Sequence, residues 1–349
     1  MTQRTLAALV AAPLLLVLLV LAFVLPLPYA TYAPGLTLDV LGEEDGQEII
    51  SVEGHPSYHD DGQLRMTTVY VSLAETDKRL PELMRTWLDD DDAVYPYDVV
   101  HPEGQTQEQD ERDGAVDMVT SQDTAIAVAM SEMGERVEPQ VGVSFVEEGS
   151  PADGRLEVRD LIQEVDGEPV TEAEQISAAV QAATKADPAE LTVLRAGEKR
   201  TVELVPATLR DGSTGIGITL GPLYDFPYDV SVNIDPAIGG PSAGLMFSLA
   251  IYDTLTPGSL TGGHDIAGTG TISADGAVGP IGGIEQKIAG AREDGAELFL
   301  VPPDNCDEAA RVEEPGMRLV RAETMHDARL AVEAWTADPD ADLPTCEAS

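Results

Sequence analysis

The chain has 349 residues, with 20 Lys and Arg against 63 Asp and Glu, a net charge of −43, and 43% hydrophobic residues. That apolar content supports folded domains, and the length leaves room for two or three. So acidic a surface excludes a nucleic-acid partner, whose phosphates require Lys and Arg, and suits a salty medium that screens self-repulsion.

Residues 6–27 are apolar almost throughout, with Arg4 as the one charge ahead of them. About 20 such residues span a bilayer, and a basic start before an acidic remainder turns the N-terminus inward. Residues 1–30 are therefore expected to be a single-pass transmembrane anchor in the cell membrane, with the bulk of the chain on the extracytoplasmic side. A cleaved signal peptide ending near Ala30-Thr31-Tyr32-Ala33 is the alternative. In that oxidising compartment Cys306 and Cys346 can form a disulfide stapling the tail, residues 337–349, onto the last domain.

Residues 31–137 read as an α+β region. The β-branched stretch 64–72 is a predicted strand, 80–88 a short helix and 89–92 an acidic turn. Residues 105–133 run from a polar start into a helix with Ala125, Ala127, Val128 and Met130 toward a core and Gly134 as its stop. His55 and His59 stand near Asp60 and Asp61, but Pro56 breaks the helix that would bring the imidazoles onto one face, so no metal site is expected.

Residues 138–208 have their own pattern. Val141 to Val146 alternate like a half-buried strand. Gly149-Ser150-Pro151-Ala152 is a turn, and LEVRDLIQEV (156–165) leads into Asp166-Gly167. A helix over 171–184 aligns Ile176, Ala179, Val180 and Ala183, and strands at 191–194 and 201–205 flank Gly197. The G-S-P-A turn, the L-x-V-x-D-x-I-x-x-V-D-G segment and the element order resemble a PDZ domain of bacterial envelope proteases. The resemblance implies a peptide groove at Val141, Gly142, Val143 and Phe145 facing Ile176 and Val180, where a chain end adds as a strand.

From residue 209 to 349 the chain is Gly-rich, with short strands alternating with helices at 241–254, 284–293 and 324–335, an α/β or α+β pattern. In Gly239-Gly240-Pro241-Ser242-Ala243-Gly244 a serine stands behind a proline at a predicted helix start, where N–H groups favour negative charge. The same residues satisfy G-x-S-x-G, for which Asp304 or Asp307 and His326 would complete a triad. Of four lysines, only Lys287 sits in apolar, Gly-rich surroundings. Desolvation lowers a lysine pKa, and a neutral amine can take a serine proton, as in known Ser–Lys pairs. G-x-x-x-x-G-K-[ST], H-E-x-x-H and C-x-x-C are absent, so no nucleotide, metal or other cofactor is expected.

Gly240-Pro241-Ser242-Ala243-Gly244, Thr269-Gly270-Thr271-Ile272, the run 276–287 (GAVGPIGGIEQK) and the run 295–302 (GAELFLVP) follow one another in the order, and near the spacing, of the Lon proteolytic domain. With the apolar N-terminus and the PDZ-like segment, the chain resembles the PDZ-containing, Lon-like, membrane-anchored serine proteases of the YlbL type. The resemblance implies an α+β fold class: an N-terminal transmembrane helix, a PDZ-like β/α domain and a C-terminal Lon-type α/β proteolytic domain. It implies Ser242 as nucleophile, Lys287 as base, Thr269 as helper, and an oxyanion hole from the backbone N–H groups of Ser242 and Ala243. The implied activity is ATP-independent serine endopeptidase cleavage of unfolded or extracytoplasmic proteins, with protein or peptide partners and a homo-oligomeric state. Gly239 stands where Lon commonly has an aspartate, and Thr271 where its T-G-E segment has a glutamate. A non-catalytic PDZ scaffold and a Ser-His-Asp α/β-hydrolase remain the alternatives.

Overall fold

The computed structural model describes residues 3–44, 46–73, 78–101, 106–235, 237–312 and 316–346, with side chains from residue 9 onward. Its first helix, α1 (Gln3–Val24), is where the transmembrane expectation is corrected. Among the described residues no helix is long and apolar enough to cross a membrane. The Arg4 side chain lies outside the described residues. The fold class is mixed α/β.

After α1 come β1 (Tyr29–Asp39), β2 (Ile50–Glu53), β3 (Gln63–Val71), α2 (Leu80–Trp87), β4 (Ala93–Pro96) and α3 (Gln107–Glu132). Thr106 starts α3 with a reciprocal cap: its hydroxyl accepts the Gln109 N–H, and the Gln109 side chain accepts the Thr106 N–H. Gln105, in the expected start, lies outside the described residues. Gly134, at φ +90°, ends the helix as its sequence suggested.

The PDZ-like body follows: β5 (Pro139–Val146), β6 (Leu161–Val165), α4 (Ala173–Ala182), β7 (Ala189–Arg195), β8 (Glu198–Leu204) and β9 (Ile218–Tyr224). The strands form an antiparallel sheet in the order β8-β7-β6-β5-β9. Val143, Leu156, Ile162, Ile176, Leu191 and Val193 fill a core of its own.

The rest comprises β10 (Asp229–Val232), α5 (Gly244–Leu255), β11 (Asp265–Gly268), β12 (Thr271–Ile272), β13 (Val278–Gly279), α6 (Ile284–Glu293), β14 (Leu298–Val301), β15 (Arg318–Arg321) and α7 (Met325–Ala337). The main sheet runs β15-β14-β11-β3-β1-β4, its first four strands parallel and its last two joined antiparallel. In it Ile266 stands beside Leu64 and Gly268 beside Met66. Residues 29–96 and 265–321 therefore build one sheet, and α3 packs along α5 over the same core, which includes Leu64, Met66, Met130, Leu245, Leu249 and Leu298. The PDZ-like body is an insertion between α3 and β10, entered at Pro139 and left at Tyr224, which face each other across the β5–β9 pair.

Cys306 and Cys346 are joined in a disulfide, with Cα atoms 4.8 Å apart. It ties down the tail as far as residue 346, and residues 347–349 of the expected staple lie outside the described residues.

Candidate active site

Helix α5 is apolar and buried nearly throughout, which anchors whatever its N-terminal turn carries. The helix begins at Gly244 with Ala243 as its N-cap, later than the Pro241 start the sequence suggested. Tertiary hydrogen bonds hold Pro241 and Ser242 in a turn instead. Gly240, at φ +94°, sends its N–H to the Gly114 carbonyl of α3 at 3.0 Å. The Ser242 carbonyl accepts the Gly270 N–H at 2.9 Å and the Thr269 hydroxyl at 3.0 Å. A Cβ on Gly244 would stand 2.6 Å from Ile272 Cγ2 and 2.9 Å from Ser121 Oγ, so only glycine lets the turn approach α3 this closely.

The lysine arrives from the other side. Gly283, the N-cap of α6, is in the left-handed region at φ +69°, and a Cβ there would lie 2.8 Å from Val69 Cγ1. The loop before it is clamped by Asn305, whose Oδ1 accepts the Ile281 N–H at 2.9 Å and whose Nδ2 donates to the Ile281 carbonyl at 3.0 Å. Lys287, on the first turn of α6, is only 2% exposed. Its Nζ lies 2.8 Å from Ser242 Oγ and donates to Thr269 Oγ1 at 3.0 Å. Burial alone lowers the Lys287 pKa from 10.5 to about 7.

This geometry has a chemical direction. The Thr269 hydroxyl gives its one proton to the Ser242 carbonyl, so it meets the lysine as an acceptor. One Nζ–H is thus engaged by Thr269, and the lone pair of the neutral amine can face the Ser242 hydroxyl. Among the described residues, the Ser242 and Ala243 amides donate to no backbone carbonyl, and they stand at the positive end of α5.

The triad alternative is not assembled. His326 Nδ1 is bonded to Glu132 Oε1 at 2.7 Å, and the turn carrying Ser242 does not follow a strand of the main sheet, as a nucleophile elbow does. His55 stacks on Tyr228, while His59 faces Glu48.

The expected peptide groove needs correcting as well. Val141, Gly142, Val143 and Phe145 lie on β5, a strand with neighbours on both edges. Gly142 pairs with Leu161, and Val143 exchanges hydrogen bonds with Arg159 and Asp160, while β9 covers the other edge from Pro139 to Val146. No chain end can add there. The sheet's edge strands are β8 and β9, and β9 contributes Ile218 and Leu220 to the cluster around Ile176 and Val180. Gly215-Ile216-Gly217 leads into it, with Gly217 at φ +76° and Thr214–Gly215 packed on α4. In the sequence this entry is marked by G-I-G-I at 215–218, beyond the expected PDZ-like segment 138–208.

Residues 235–327, which include Ser242, Thr269 and Lys287, match the family model of the Lon protease (S16) C-terminal proteolytic domain. Residues 116–205 match the PDZ domain family. The chain carries a Lon-family proteolytic domain joined to a PDZ domain. It is similar to the Lon protease of Desulforamulus reducens, 42% identical over 66 residues, which are 19% of this chain and 8% of that protein. Lon protease 2 of Thermus thermophilus is 40% identical over 76 residues, 22% of this chain and 9% of its own. Lon protease 2 of Bacillus subtilis is 30% identical over 102 residues, 29% and 18% of the two chains. The chain thus spans at most 18% of the length of these curated relatives. Among solved structures, the PDZ domain of an SdrC-like protein from Listeria monocytogenes is 26% identical, covering 23% of this chain and 86% of its own, at a TM-score of 0.21. A Geobacillus thermodenitrificans protein is 33% identical, covering 23% and 94%, at a TM-score of 0.20.

The proteolytic part is that of a Lon-family serine peptidase. In this PDZ-containing, Lon-like chain the PDZ match begins inside α3 and stops before β9, so it leaves that edge strand out.

Proposed function

We propose that the protein is a serine endopeptidase that cleaves unfolded polypeptide with a Ser242–Lys287 dyad, without nucleotide, in an oxidising compartment outside the cytoplasm. The observation that carries this reading is the 2.8 Å approach of Lys287 Nζ to Ser242 Oγ in a pocket whose burial brings the amine's pKa down to about 7. Neutral Lys287 takes the hydroxyl proton as Ser242 Oγ attacks the peptide carbonyl. The N–H groups of Ser242 and Ala243 face the oxyanion. The resulting ammonium protonates the departing amine, and the same lysine then activates the water that releases the acyl group. Thr269 holds the amine in register throughout. The Cys306–Cys346 disulfide supports the oxidising compartment. The PDZ domain takes a chain end as an added strand along β9, beside α4.

The test uses the full chain in high salt, without nucleotide, and a fluorescent unstructured protein. Ser242→Ala and Lys287→Ala are each expected to lower kcat by about 10³-fold or more, with melting still cooperative. Cleavage that survives Lys287→Ala would sink the dyad.

A further inference from the structure

Helix α3 touches both halves of the molecule. On one face, the Gly114 carbonyl accepts the Gly240 N–H at 3.0 Å, and Ser121 Oγ donates to the Pro241 carbonyl at 3.2 Å. Seven positions apart, Gly114 and Ser121 lie two turns from each other and share that face. What they hold is the turn carrying Ser242.

A neighbouring face of α3 meets the PDZ domain. Thr120 Oγ1 lies 3.4 Å from where a Cβ on Gly221 would stand, so it rests against β9. Thr124 hydrogen-bonds the Tyr224 side chain. Asp123 Oδ1 accepts Arg159 Nε at 2.8 Å, and Gln122 Oε1 accepts Arg159 Nη2 at 2.9 Å. The Asp123 side chain is 3% exposed; its burial, which disfavours the charge, is opposed by that guanidinium and by the Tyr224 backbone N–H. Arg159 is itself in the left-handed region at φ +73°, with its N–H on the Val143 carbonyl at 2.8 Å. A strained non-glycine backbone persists where its surroundings over-determine it.

We propose that the PDZ domain, by clamping Gln122 and Asp123 of α3 with Arg159, sets the position of the Ser242 turn and thereby governs turnover. The proposal rests on Ser242 being the nucleophile. Ser121 and Arg159 are positioning residues; neither touches the reacting atoms. Because β9 lies on the same helix, a chain end added to its open edge bears on α3 as well. Occupancy of the groove is then read out as a change in kcat.

Steady-state kinetics of the full chain on fluorescein-labelled unfolded casein test this. Arg159→Ala and Ser121→Ala are each expected to lower kcat roughly tenfold, since small displacements of reacting groups are costly, with KM within about twofold. Ser121→Thr keeps the hydroxyl and is expected to restore kcat. The rise of kcat/KM with pH near 7 stays where it is, because the lysine pocket is untouched. In the double variant the losses should fall short of multiplying, the sign that both act through one element. Asp123→Asn, which keeps the side chain's shape, replaces Arg159→Ala if that variant melts early. Turnover within about twofold of the unmodified chain in Arg159→Ala or Asp123→Asn overturns the coupling, and so do losses that multiply. Cleavage persisting in Ser242→Ala overturns the dyad and this proposal together, whereas cleavage lost there with full turnover in the clamp variants overturns the coupling alone.

Discussion

The two large sheets of this molecule are assembled in opposite ways. The PDZ sheet draws all its strands from one stretch, 139–224, in purely antiparallel pairs. The main sheet joins β3 to β11 in parallel across the whole inserted domain. Pairings of the first kind close short loops, while those of the second close a long one before any contact rewards it. The difference teaches where function can be separated from fold. Ser242, Thr269 and Lys287 all follow the insertion, yet part of what holds them comes from before it: Gly114 and Ser121 against the serine turn, Val69 against the lysine helix.

The largest expected effect comes from cutting the chain at the boundary its composition suggests. Residues 209–349 alone lack β1, β3 and α3, and with them the buried Leu64, Met66 and Met130. That fragment should show no cooperative thermal melt. Replacing residues 140–223 by a short Gly-Ser linker should keep one, because Pro139 and Tyr224 already face each other. A cooperative melt from 209–349 would erase the distinction between the two sheets.

Next in size is the stability held back by the pocket around Lys287. The folded pKa of Lys287, about 7, lies below its ordinary value of 10.5, so the unfolded chain binds more protons between those values. Its burial is then least unfavourable at high pH, and stability falls as pH drops from about 10.5 to about 7. The full penalty, up to about 5 kcal/mol, applies below pH 7. Lys287→Met should therefore abolish cleavage while raising the melting temperature at pH 7 by several degrees. In the unmodified enzyme, kcat/KM should rise with pH through about 7 as the amine becomes neutral. A lower melting temperature for Lys287→Met would show that the pocket favours the charged amine.

A smaller effect sharpens the same contrast. Gly283→Ala places a Cβ at φ +69° and 2.8 Å from Val69 Cγ1, joining left-handed backbone strain to a clash across the long-range sheet. A loss of about 2 kcal/mol in denaturant unfolding is expected. Gly197→Ala, at φ +76° in a PDZ hairpin with open space around it, carries the backbone strain alone and should lose less. Equal losses at the two positions would show that the clash is relieved without strain.

How much could be read in advance follows the same division. Ser242 and Lys287 stand out in the sequence because a serine between small residues and a lysine in an apolar, Gly-rich run are unusual chemistry in their surroundings. Thr269 came only through resemblance to Lon, since a threonine after a strand has no distinguishing local pattern. Gly114, Ser121 and Asn305 were invisible: each is an ordinary residue whose role consists of one or two hydrogen bonds to backbone more than 20 positions away. The groove that the PDZ resemblance implies falls on the wrong strand because neither that resemblance nor period-2 alternation says which edge is open. Helix α5 starts late for a related reason, as the bonds from Gly270 and Thr269 to the Ser242 carbonyl displace the proline-first start that local preference favours.

By itself the sequence determined the chemistry on offer and the local elements: the acidic surface, the PDZ order of strands and helix, Ser242 and Lys287 in their small-residue settings, and the two cysteines. These depend on side-chain identity, periodicity, and Gly and Pro at fixed positions, which are local properties. Only the tertiary structure decided which strands are neighbours and that β9 rather than β5 keeps a free edge. It also decided the property on which the proposed reaction turns. A lysine becomes a base near neutral pH only when surrounding elements exclude water from its amine. Here Ser242 and Thr269 meet the Lys287 amine, while α6 packs on β1 and β3, all from distant parts of the chain.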